Sequence, residues 1–362
     1  MKRFVKATWI FYPLVLAVIM YFVLPLFPEF TEYVVSRGIY KLFSTPIGFL
    51  TSLIPVSLTE LLLVLALPLA VVICILFVRR LRRSESKKET SIKALRCTAG
   101  FLSFALFTYM IFHGANFYRK NLAELMELNT SAKNPQQLAA VCVYLAEQAS
   151  AVREGLTLDE NGCVILPESI TTELARTNSG YAPLVSEYPW LWTAVSRQKP
   201  VMLSYWWSYT GITGMYFPFL VESNVNIEQP DYTIPFTAAH ESAHARGIAF
   251  EDECNFLAFL SCINSEYPEF RYSGYAQAYK YCANALYAYD MQLWAEVQPY
   301  VSDGMRRDLI SLNEYIDKFN GEVMQTASDI NDTIIKVQGV EDGQLSYNRV
   351  TELILAYYYT EK

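Results

Sequence analysis

The stretch AAHESAHARG, residues 238–247, decides how this chain reads. It contains His240-Glu241-Ser242-Ala243-His244, an HExxH pattern. Residues i and i+4 share one face of a helix, so both imidazoles can bind one ion. Glu241 lies about 100° round that helix from His240. Its carboxylate then falls where a zinc-bound water would sit. Zinc lowers the pKa of such a water towards ~7, and Glu241 can take the proton as a general base. The chain has only three histidines, and two of them fall in this motif. Chance would produce the pattern on the order of once in a thousand such chains. The motif predicts a helix from about Phe236 to Arg246, stopped by Gly247.

A catalytic zinc takes a third protein ligand and keeps a fourth position open. His113 ends an apolar run, and acidic residues suit the role better. Glu251, seven residues after His244, opens a second helix expected over Glu251–Asn264. One turn later comes Asn255, placed to hold a ligand histidine in orientation, as in the glutamate-zincins. Glu253 is the alternative ligand, depending on where that helix starts. Further on, Arg271 and Tyr272 in RYSGY (271–275) are candidate stabilisers of an oxyanion, with packing as the competing role for a tyrosine.

Outward from the motif the chain divides by hydropathy and charge. It has 362 residues, 52% hydrophobic content and mean hydropathy +0.16. The excess lies before residue 113. Ala7–Phe27 is an uncharged run of 21 residues, Leu61–Val78 is a second, and Ala94–Phe112 a third. A run of about 20 crosses ~30 Å of hydrocarbon. We therefore expect transmembrane helices at about 7–27, 57–78 and 94–112. The first follows Lys2, Arg3 and Lys6 and lacks a small-residue cleavage site, so it reads as an anchor and not a signal peptide. The loop 79–93, RRLRRSESKKETSIK, is basic and short and is expected to stay cytoplasmic. Three crossings put everything from 113 onward outside the cytoplasmic membrane, with 28–55 as a short outer loop. Apart from Arg96 at the start of the third, no Lys, Arg, Asp or Glu lies inside the runs, which speaks against a transport pathway.

Up to residue 112 there are 13 Lys/Arg against 5 Asp/Glu, and from 113 onward 16 against 31. A domain this acidic lacks the basic footprint of nucleic-acid binding. The seven cysteines match no zinc knuckle or CxxC spacing and read as free thiols.

The outer part, 113–362, reads as mainly α with a small β-sheet. Helices are expected at Asn121–Leu128, Pro135–Val152, Tyr275–Val297, Ser302–Asn320 and Ser346–Tyr359. Asn161-Gly162 marks a hairpin within Leu156–Pro167. Met215–Val221 reads as one extended strand ending in polar loop residues, with Pro218 pointing to a sheet edge. Such a strand could pair with an extended substrate. Trp206 and Trp207 read as core aromatics.

Three stretches carry a resemblance: YFPFLVESNVN (216–226), PFTAAHESAHARGIAFEDECNFLAFL (235–260) and RYSGY (271–275). Together with the N-terminal helices they resemble bacterial multipass membrane proteins grouped as domain-of-unknown-function family 3810. The resemblance covers most of the chain and implies a zincin-like outer domain related to gluzincins, without naming a substrate. Relatives often carry Ala where this chain has Cys254. The functional expectation is a membrane-anchored zinc metallopeptidase that hydrolyses peptide bonds at the outer face of the cytoplasmic membrane. The competing expectation is a non-catalytic zinc-binding sensor or assembly module. The expected partners are a peptide or protein substrate and the lipid bilayer; the oligomeric state is open.

Overall fold

The three apolar runs form three helical spans in the N-terminal part. The computed structural model describes residues 8–131, 134–192, 194–337 and 349–361. Ala7, the basic residues before it and Ser346–Asn348 lie outside them. The span Trp9–Leu26 contains helix α1 (Tyr12–Val23). The other two spans are α3 (Leu58–Arg83) and α4 (Lys87–Phe112). All three are long and apolar enough to cross a membrane.

The basic stretch 79–93 is not a loop. Arg79–Arg83 complete α3 and Lys87–Lys93 begin α4, leaving a turn at 84–86. Lys and Arg are good helix formers, and cations suit the last turn of a helix. Ser86 caps α4 through the Glu89 N–H.

The segment 28–55 is likewise helical, contrary to the outer-loop expectation. A turn at Pro28–Phe30 leads into a π-helix, Thr31–Tyr40, and then α2 (Lys41–Ser52). Its polar residues face the protein: Thr31, Glu32, Ser36, Ser44 and Thr51 are buried. Glu32 accepts from Arg119 (Nε, 2.7 Å) and Arg37 (Nε, 2.6 Å), and Ser36 donates to Asn116 at 2.8 Å. The periodicity is hidden in the sequence because the buried side mixes these polar residues with Val35 and Tyr40, while apolar residues such as Val34, Leu42 and Phe43 are exposed.

The remainder is mainly helical around one small sheet. Helix α5 (Pro135–Arg153) starts on a capping box between Asn134 and Gln137 and packs against α8 (Pro268–Tyr289). Between them in sequence, Leu158 bridges Val164 around the Asn161-Gly162 turn. Strands β1 (Gln198–Val201), β2 (Gly214–Phe217) and β3 (Glu222–Asn226) pair in the order β1-β3-β2. The β1–β3 pair is parallel and β2–β3 antiparallel.

The expected strand Met215–Val221 is therefore a strand and a turn, with Val221 at φ 49°. The edge position holds for β2. The polar residues after it are not a loop: Glu222, Ser223, Asn224 and Asn226 form the buried central strand. Each is hydrogen-bonded, which burial of polar groups requires. Glu222 takes the Lys199 ammonium and the Thr59 N–H, and Asn224 accepts from Ser57 at 2.6 Å.

Helices α6 (Ile234–His244) and α7 (Glu251–Ile263) lie against α8 in the main apolar core. Fully buried side chains there, such as Phe256, Phe270 and Leu145, each contribute about 1.5–3 kcal/mol. Helix α8 ends at Tyr289, because the Asp290 side chain caps a new helix through the N–H groups of Gln292 and Leu293. The expected Tyr275–Val297 helix is thus two. Helices α9 (Asp303–Phe319), α10 (Glu322–Val337) and α11 (Arg349–Glu361) complete the fold. All seven cysteines are free thiols. Trp206 is not core: it stands 65% exposed.

Candidate functional site

Helix α6 begins with Pro235 in its first turn, where proline's missing N–H costs nothing. It ends at His244, and Gly247 turns the chain at φ 76°. A Cβ there would be strained and would meet the Tyr40 ring at 3.0 Å. The turn delivers Glu251 as the first residue of α7, facing the motif helix.

The two imidazoles sit on one face, ring centroids 4.9 Å apart. His240 Nε2 is 3.1 Å from one Glu251 carboxylate oxygen, and His244 Nε2 is 3.6 Å from the other. One donor atom from each of the three residues lies within 4.8 Å of the other two. The opposite ring nitrogens are held. His240 Nδ1 is 2.8 Å from Asn255 Oδ1, and His244 Nδ1 is 2.9 Å from the Ile248 carbonyl. A carbonyl only accepts, so Nδ1 of His244 carries a proton, and Nε2 is the ring nitrogen that faces Glu251. Cys254 Sγ lies 3.3 Å from the same Nδ1.

Burial opposes charge on Glu251, but the imidazoles overcome it and hold its carboxyl well below the carboxylate range. Burial opposes charge on His244 too, and Cys254 and Glu251 outweigh it, holding that ring well above the usual histidine value. Two nitrogens and a carboxylate held this way form a donor set suited to a divalent cation.

Glu241 points off the same helix and is buried. Burial pushes its carboxyl up to about 7, against the pull of His240 and His244. Its Oε2 is buried without a hydrogen-bond partner. The edge strand β2 passes so close that a Cβ on Gly214 would collide with the Glu241 carboxylate and meet Thr237 Cγ2 at 2.8 Å. Ser223 on β3 donates to the Glu241 carbonyl at 3.0 Å, tying sheet to helix.

Tyr216 on β2 stacks on the His244 ring at 6.1 Å and 21°. Its hydroxyl lies 3.0 Å from that of Tyr40, which donates to the Ala245 carbonyl at 3.0 Å. The His113 ring is 5.9 Å from that of His244. The end of α6 is braced by Arg246, buried, stacked 3.7 Å over the Tyr181 ring and donating to the Ser242 carbonyl.

Several sequence candidates fall elsewhere. Glu253 turns away from the histidines and accepts the Leu122 N–H at 2.6 Å. Tyr272 donates to Asp308, a buried carboxylate also bound by Arg153. Arg271 donates to the Ser265 and Glu266 carbonyls in the loop between α7 and α8. A different tyrosine, Tyr281, approaches: burial, and then the Glu251 charge, raise its pKa. Its ring centroid is 6.2 Å from that of Phe236, one helical turn before His240. Tyr216 was marked as part of the expected Met215–Val221 strand, and Gly214, Tyr40 and Tyr281 had no signal in the sequence, because only the topology brings them to the motif.

The model of the family described as "Protein of unknown function (DUF3810)" matches residues 35–355, and the chain belongs to that family. No curated protein and no solved structure matches the chain.

Proposed function

We propose that this DUF3810 member is a membrane-anchored zinc metallopeptidase of the HExxH type, with a gluzincin-like outer domain outside the cytoplasmic membrane. The observation that carries the reading is the set His240, His244 and Glu251 with donor atoms within 4.8 Å, next to a buried glutamate with a free carboxylate oxygen. His240, His244 and Glu251 would hold the metal, and Asn255 and the Ile248 carbonyl fix the two rings. When bound, zinc would polarise the scissile carbonyl and acidify water.

The chain's own residues supply the rest. Glu241, its affinity for a proton raised by burial, takes a proton from the attacking water and passes it to the leaving nitrogen. Tyr281 is the candidate donor to the developing oxyanion, in place of Tyr272. The edge strand β2 supports an extended substrate alongside the motif helix.

The test uses the full-length protein in detergent or nanodiscs. Glu241→Gln is expected to keep the metal and lose cleavage of a quenched-fluorescent peptide library. A metal-loaded wild-type chain that cleaves nothing, with Glu241→Gln fully functional in cells, would favour the sensor or assembly role.

A further inference from the structure

We propose that the outward face of residues 28–54, with the corner at Met202–Trp206, seats in the outer leaflet of the bilayer. It holds the His240/His244/Glu251 centre at headgroup level, so that the substrate is a polypeptide tethered to the same membrane. The substrate class rests on the peptidase reading; the lipid docking does not.

Three observations carry this. The first is inverted amphipathy. The segment buries Thr31, Glu32, Ser36 and Ser44 beside Val35 and Tyr40, and exposes Phe30, Val34, Leu42, Phe43, Phe49 and Leu50, with Glu29 and Lys41 as the charges at the edge of that face. A helix on a soluble domain does the reverse. A contiguous apolar patch marks a surface covered by something. From Leu42 to Thr59 the chain carries no charged side chain. A protein interface would have a polar rim; this face runs uninterrupted into span α3.

The second is that continuity. The Glu222 carboxylate accepts the N–H groups of Leu58 (3.3 Å) and Thr59 (2.8 Å), the first residues of α3. In return the Glu60 carboxylate accepts those of Met202 (2.9 Å) and Leu203 (2.7 Å). This pair of clamps pins Met202, 75% exposed, and Trp206 beside the first turn of a span. Tryptophan is enriched at that depth.

The third places the centre. Tyr40, from the inner side of the segment, donates to the Ala245 carbonyl one residue beyond His244. His113 directly follows the last residue of span α4, and its ring is 5.9 Å from that of His244. The centre therefore sits one ring contact from the end of a membrane helix. Tethering a substrate to the same bilayer raises its effective concentration there.

Two measurements on the full chain in phosphatidylcholine nanodiscs test this. Nitroxide labels go on Leu42→Cys and Leu50→Cys separately, with Cys74, Cys97 and Cys163 replaced by Ser. Collisions with lipid-soluble oxygen should dominate over those with an aqueous nickel chelate, as at a Leu65→Cys control inside α3. Nickel-dominated collisions at both sites, as at Tyr289→Cys, would overturn the docking. In the second, one quenched-fluorescent polypeptide is offered with and without a lipid anchor. The anchored form should be cleaved with kcat/KM higher on the order of tenfold. Equal rates would overturn the substrate class. Cleavage of neither form would overturn the peptidase reading and the substrate class with it, while the collision rates still decide the docking.

Discussion

His240 Nε2 and Glu251 Oε2 lie 3.1 Å apart although they sit on different helices, joined by a turn that only Gly247 makes without strain. Glu253, two residues further on, faces the other way and binds the Leu122 N–H. Glu251→Ala should therefore abolish zinc retention, whereas Glu253→Gln should leave it intact. Metal per chain after gel filtration checks this, and equal loss in both variants would contradict it.

Asn255 reaches Nδ1 of His240 and leaves Nε2 free for the ion. Asn255→Ala should weaken zinc affinity roughly 10- to 100-fold, the usual effect of losing such a support. Competition with a chromophoric chelator reads the change directly; an unaltered affinity would remove Asn255 from the site.

The Glu241 carboxyl is pushed up to about 7 by burial, and only its deprotonated form accepts a proton. Cleavage should fall as pH drops through that pKa, with a bound dication drawing the limb below 7. A kcat/KM profile flat through the acid range would exclude Glu241 as the base.

Gly214 leaves the space that the Glu241 carboxylate occupies. Gly214→Ala should displace the base while sparing the ligands: cleavage lower on the order of 100-fold at unchanged zinc content. Tyr281→Phe should cost roughly 100-fold in kcat. Tyr272→Phe should keep its activity and lose about 1.5–3 kcal/mol of stability, the worth of a hydrogen bond to a charged group. Kinetics and thermal unfolding of the two variants, run together, separate these roles.

Burial pushes the Glu253 carboxyl up to about 8, from an ordinary 4.5. A raised acid binds more protons folded than unfolded, so its contribution to stability is present below pH 4.5 and is lost as pH rises to 8. Glu253→Gln keeps an acceptor for the Leu122 N–H and removes the charge. Its Tm should decline less than that of wild type between those pH values.

The clustering of His240, His244 and Glu251 was legible because one helix turn fixes His240 against His244 and one short loop fixes Glu251. The three spans were legible from length and hydropathy alone. What stayed hidden shares one physical cause, polar residues used as core. The Glu222–Asn226 strand and the inner side of Thr31–Tyr40 look like loops in sequence because their burial is satisfied by distant partners such as Lys199, Ser57 and Arg119. For Tyr272 the sequence left an oxyanion role and a packing role both open. A tyrosine near a motif in sequence says nothing of its direction, and its hydroxyl belongs to Asp308.

The most direct measurement is elemental analysis of the full-length protein purified without added metal. About one zinc per chain is expected, lost in His240→Ala and in Glu251→Ala and retained in Glu241→Gln. A wild-type chain that is folded and metal-free, and that takes up no zinc when offered it, would contradict the metal centre itself.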